Sequence, residues 1–126
     1  MKKLSIALIV VIALLQTYIM VFEMFFWEAR GPKVFSSFPL DLFAQTKQMA
    51  ANQGLYNGFI AAGLIWSLFI SDPVWKKKVA LCFLGFVFVA GVYGAFTVEL
   101  KVLFVQAVPA TLAIFSILFY SRRSLS

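Results

Sequence analysis

An all-α membrane protein, built as a bundle of four transmembrane helices with both termini in the cytoplasm, is the fold class this sequence predicts. Three observations predict it. Hydrophobic residues make up 63% of the 126 and charged residues only 13%, and the mean hydropathy is +0.95, far from the composition of a domain solvated by water. Four apolar runs each approach the ~20 residues that carry a helix across ~30 Å of hydrocarbon. The 11 Lys and Arg residues, which give a net charge of +6, sit in short groups between those runs. They do not form a face that could follow a phosphate backbone, so nucleic acid is excluded as a partner and the lipid bilayer is expected instead.

The first run, about residues 4–26, follows Lys2 and Lys3 and resembles a secretion signal. It is too long for one, and "LLQTYIM" has no small-x-small cleavage site, so it is expected to stay as a span. The second run covers about 49–70, the third 79–98 and the fourth 102–120, all within one domain, 1–126. Asp72-Pro73 breaks the helix between the second and third, and Lys76, Lys77 and Lys78 mark a water interface. Only "ELK" separates the third from the fourth, which makes them antiparallel neighbours across a tight turn. The long loop, about 27–48, carries Phe35, Phe38, Leu42 and Phe43, which are expected at the outer lipid interface. Ser36, Ser37, Pro39 and Asp41 signal a helix start there. A helix from Pro39 to Ile70 would measure about 48 Å. That overshoots a bilayer, so either the second helix projects outward or a separate surface helix precedes a bend near Ala50.

Orientation follows from the basic residues. Lys2, Lys3, Lys76, Lys77, Lys78, Arg122 and Arg123 lie on one side, and Arg30, Lys33, Lys47 and Lys101 on the other. Seven against four places both termini inside by the positive-inside rule. The location expected from the spans is a membrane crossed several times, with both termini on its cytoplasmic side.

Chemistry is constrained by what is missing. There is no histidine, which removes the commonest general base and metal ligand, and a single cysteine, Cys82, which excludes an internal disulfide. No metal and no cofactor are expected, and Cys82 reads as a small core residue.

The stretch "AANQGLYNGFIAAGL" then stands out, because Asn52, Gln53, Tyr56 and Asn57 interrupt the second span. At ~100° per residue with Asn52 as zero, Tyr56 falls at about 40°, Gln53 at 100° and Asn57 at 140°, while Ala61, Gly54 and Gly58 fall at about 180°, 200° and 240°. A polar face thus adjoins a face of small residues that admits a close neighbour. Depth adds a second pattern. Glu23 near the outer end of the first helix, the second-helix amides, Tyr93 and Thr97 of the third, and Gln106 of the fourth all fall in the outer leaflet. Gln16, on nearly the same face as Glu23, lies near mid-membrane. These side chains are expected to point inward and line one polar cavity, with Glu23 in hydrogen-bond reach of a second-helix amide. Gly54, Gly58, Gly91 and Gly94 are candidate packing positions, and a second copy of the chain is a candidate partner through them.

The strings "YIMVFEMFFW", "KVF", "AANQGLYNGFIAAGL", "GVYGAFTV" and "QAVPA" occur in this order, and through them the chain resembles the bacterial DUF1304 family of small integral membrane proteins. The resemblance implies a four-helix envelope protein, with Glu23, Asn52, Gln53, Gly54, Tyr56, Asn57, Gly58, Gln106 and Pro109 on the family's motif positions. It implies no activity. Leu15 and Gln16 stand where an acid-histidine pair is common in the family.

The function expected is binding of a small hydrophobic or lipid-like molecule in the outer-leaflet polar cavity. Three alternatives stay open: a small transporter or channel, an isomerase-type membrane enzyme with Glu23 as its base, and a structural assembly subunit. Glu23 lies near a helix end rather than at the midplane, and the inner halves carry no polar track. Both features weigh against transport.

Overall fold

The computed structural model describes the backbone of residues 1–125 and the side chains of residues 1–119. Within them every regular element is helical, with no strand. The helices are α1 (Lys3–Phe25), α2 (Trp27–Val34), α3 (Leu42–Gln45), α4 (Lys47–Phe69), α5 (Pro73–Thr97) and α6 (Val108–Leu125), and a π-helical turn, Leu103–Ala107, leads into α6. By length and composition α1 and α5 can each cross a membrane, and Leu103–Phe119 is a shorter apolar helix. The interrupting amides Asn52, Gln53 and Asn57 set α4 apart from those two. The side chains of Arg122 and Arg123, which enter the charge count, lie outside the described residues.

Local sequence sets each boundary. Asp72 precedes Pro73 at the start of α5, and its Oδ1 accepts from the Val74 amide at 3.4 Å. Lys76 Nζ donates to the Leu68 carbonyl at 3.0 Å, satisfying an acceptor that the end of α4 leaves open. Before α6, Pro109 has no N–H and crowds the carbonyl four residues back. The backbone widens there, and the Val108 amide bonds to the Leu103 carbonyl five residues earlier.

The core lies toward the end that carries both termini. Ile9 and Ile12 of α1, Leu64 of α4, Leu84 and Val87 of α5, and Ile117 of α6 interlock there, with Ala80, Ala110 and Ala113 as small spacers. On α5 the buried positions Ala80, Leu84, Val87 and Gly91 recur at helical spacing and stop at Gly91. Ser5 and Ser116 share a 2.7 Å hydrogen bond that pins α1 to α6.

The opposite end corrects two expectations. Residues 27–48 fold into α2 and α3 as a cap, and the chain bends at Thr46 rather than near Ala50. Phe43 is 2% exposed and packs against Phe38 and Trp27 at ring separations of 4.9 and 5.1 Å. Phe35 is likewise gathered onto Trp27 at 5.7 Å. Phe43 is thus buried rather than at a surface, because Gly31 leaves a seat for its ring, while Phe35, Phe38 and Leu42 are half-buried. Trp27 Nε1 donates to Thr46 Oγ1 at 3.0 Å, and Thr46 in turn donates to the Leu42 carbonyl at 2.7 Å. Lys101 Nζ donates to the Val34 carbonyl and lies 5.6 Å from the Phe35 ring, tying the α5–α6 turn to the cap. Cys82 is also corrected: it is exposed on α5, on the side away from the Leu84 and Val87 stripe.

Candidate functional site

α1 turns one stripe toward its neighbours. Ser5, Ile9, Ile12 and Gln16 are buried along it, and Glu23, seven residues beyond Gln16, continues the same face. α4 meets this stripe through its small residues. A Cβ on Gly54 would sit 2.8 Å from Met24 Cγ and 2.9 Å from the Met20 carbonyl oxygen, and a Cβ on Gly58 would meet the Met20 sulfur. This close approach brings Asn57 to Glu23, and Asn57 Nδ2 donates to Glu23 Oε1 at 2.5 Å. Both residues are half-buried. Among the described residues no basic side chain pairs with Glu23: the ion pairs are Lys47–Glu28 and Lys101–Glu99, each at 3.3 Å.

The other second-helix polar residues do not join them. Asn52 and Gln53 are exposed, and Tyr56 is 60% exposed, which overturns the expected inward orientation. The reason lies in α5. Between about 20° and 120° on α4, measured from Asn52, Gly63, Ser67 and Leu64 are buried toward the termini. Gly63 is covered by the Phe83 ring of α5. Toward the cap, Tyr56 and Gln53 occupy the same sector with nothing over them. Only Asn57, at the edge of the small face, turns far enough to reach α1.

α5 supplies the other side of this uncovered flank. Ten residues, or about 15 Å, from the Gly63–Phe83 contact bring α4 to Gln53 and α5 to Tyr93. Tyr93 is 70% exposed and Thr97 is exposed, again not inward as expected, and Thr97 Oγ1 donates to the Tyr93 carbonyl at 2.8 Å. α5 has turned toward the π-helical turn instead. A Cβ on Gly91 would sit 2.6 Å from the Ala107 amide nitrogen, and one on Gly94 would sit 2.9 Å from Val102 Cγ1.

Gln16 and Gln106 are the deeper pair. Both are buried, and Gln16 is 1% exposed with an Oε1 that has no hydrogen-bond partner among the described residues. Counted from the Ser5–Ser116 contact along antiparallel α1 and α6, they lie at about the same level, roughly 15 to 17 Å away. Below them Ile9, Ile12, Leu64 and Leu84 close the interior, each at most 1% exposed.

The site is therefore a stepped series of side chains rather than a closed cavity lined by all the expected residues. Sequence reasoning missed Met20, whose side chain and carbonyl are what Gly54 and Gly58 admit. It also missed the Trp27–Thr46 bond, although a threonine just ahead of a helix is a usable signal for a break.

Fold and site define an all-helical protein with two helices of membrane-crossing length and a half-buried carboxyl–amide pair beside an uncovered polar flank. The chain belongs to the family described as "Protein of unknown function (DUF1304)", which it matches over residues 10–118. It is similar to the uncharacterized protein YpaA of Lactococcus lactis subsp. lactis (strain IL1403), with 31% identity over 121 residues, covering 94% of this chain and 100% of that protein. No solved structure matches it.

Proposed function

We propose that the chain is a four-span protein of the bacterial cytoplasmic membrane, with both termini inside, that holds a lipid-like amphiphile in a laterally open groove between α4 and α5. Its surface supports the membrane reading. Leu14 and Tyr18 of α1, Trp66 and Phe69 of α4, Val89 and Phe96 of α5, and Leu112 and Phe115 of α6 are all exposed, and so broad an apolar surface suits lipid rather than water. α4 would cross with its amides on the groove side, where a span tolerates them.

One observation carries the binding reading. Asn52, Gln53 and Tyr56 stand exposed on one flank of α4, and next to them around the helix Asn57 and Glu23 form a half-buried pair. An amphiphile entering sideways from the bilayer would place its head on this series and leave its chain in lipid. The closed apolar core beneath favours binding over conduction.

Photo-crosslinking tests this. The full chain in vesicles containing a lipid with a diazirine beside its headgroup should be labelled at residues 52–57 and 90–97 well above other outer-leaflet positions. Gln53→Leu should reduce that labelling. Even labelling around α1, α4, α5 and α6 would overturn the groove.

A further inference from the structure

The chemistry of the groove floor also selects the charge of its occupant, an inference that rests on the groove reading above. We infer that the groove takes a cationic amphiphile, a single- or double-chain molecule whose head is an ammonium group. The floor is a carboxyl group, Glu23, of which Asn57 engages one oxygen. Its other oxygen has no partner among the described residues. Of the cations at this end, Lys47 pairs with Glu28 and Lys101 with Glu99 and the Val34 carbonyl, while Arg30 and Lys33 stand exposed on α2. None of them pairs with Glu23 among the described residues.

The walls agree with the floor. Gln53 and Asn52 offer amide oxygens that accept from N–H donors. Tyr56 stands edge-on to Phe59 with ring centres 5.9 Å apart, and Tyr93 stands exposed on α5 at about the same level. These rings offer faces to a cation. A positive head would thus meet a carboxyl group, several acceptors and aromatic faces in a medium of low dielectric, where a cation draws the carboxylate form and opposite charges attract far more strongly than in water. An anionic head would meet the acceptor oxygens of Glu23 and find only amide and phenol donors on α4 and α5.

The test uses the full chain in dodecyl maltoside micelles, with dodecylammonium, monolauroylglycerol or dodecyl phosphate added at equal mole fractions and Tm followed. Dodecylammonium should stabilise the wild type at a mole fraction at least about tenfold lower than either of the others. Glu23→Gln should remove that preference, and the same variant corrects for the effect of micelle charge alone. If Glu23→Gln does not fold, the wild-type comparison of ammonium with glycerol heads on one chain length still decides. Equal stabilisation by dodecylammonium and monolauroylglycerol would overturn the charge selection and leave the groove standing. Preference for dodecyl phosphate would also overturn it. Stabilisation by none of the three would overturn the selection and the groove together.

Discussion

Gly54 and Gly58 face the same neighbour, one turn apart, but they differ in what a side chain would strike. At Gly54 the obstruction includes the Met20 carbonyl oxygen at 2.9 Å, whereas at Gly58 it is the far end of the Met20 side chain. Backbone cannot yield as a thioether can. Gly54→Ala should therefore cost about 1 to 3 kcal/mol, and Gly58→Ala clearly less. Gly85, with nothing within 4 Å of an added Cβ, is the control. Gly85→Ala should stabilise by up to ~1 kcal/mol through helix propensity alone. Thermal unfolding of the three variants in one detergent checks the order, and equal losses at positions 54 and 85 would show that α1 does not press on Gly54. The glycine spacing makes this contact legible in the sequence, as it does the meeting of Glu23 with a second-helix amide. Which amide is legible only afterwards. Angle alone assigns Asn52, Gln53 and Asn57 to a polar face, and the neighbour that covers part of it is set by where α5 turns away.

Among the elements, the long helices follow from run length and from Asp72-Pro73 and Pro109, but the cap does not. Phe35, Phe38 and Phe43 are spaced irregularly, so no period reveals that they converge on Trp27, and apolar residues in a loop fit a lipid surface equally well before their partners are known. The structure gives the cap a core of its own, centred on Phe43 in the seat left by Gly31. Phe43→Ala removes a ring that touches both Trp27 and Phe38 and should cost about 3 to 5 kcal/mol locally. Its effect should stay within residues 27–46, since the interlocked core around Ile12, Leu64 and Leu84 lies at the other end. Hydrogen exchange followed by mass spectrometry should show faster exchange in α2 and α3 and unchanged protection in α5 and α6. Faster exchange throughout would mean that the cap and the core unfold as one unit.

Cys82 turns the membrane reading of the entire chain into a reactivity measurement. It is exposed, and it lies nine residues, or about 13 Å, from the start of α5 at Pro73. In water such a thiol would react readily with a maleimide, but on a face covered by hydrocarbon a charged maleimide cannot reach it. Wild-type protein should stay unlabelled by a membrane-impermeant maleimide in both intact and permeabilised cells, and become labelled once denatured in sodium dodecyl sulfate. In a Cys82→Ser background, Ser37→Cys in the cap should label in intact cells, and Ser71→Cys between α4 and α5 only after permeabilisation, because seven basic residues hold that side in the cytoplasm. The reverse pattern at positions 37 and 71 would invert the topology and place the groove in the inner leaflet. Labelling of Cys82 in the folded protein would show water on that face of α5, and the four-span reading would fall with it.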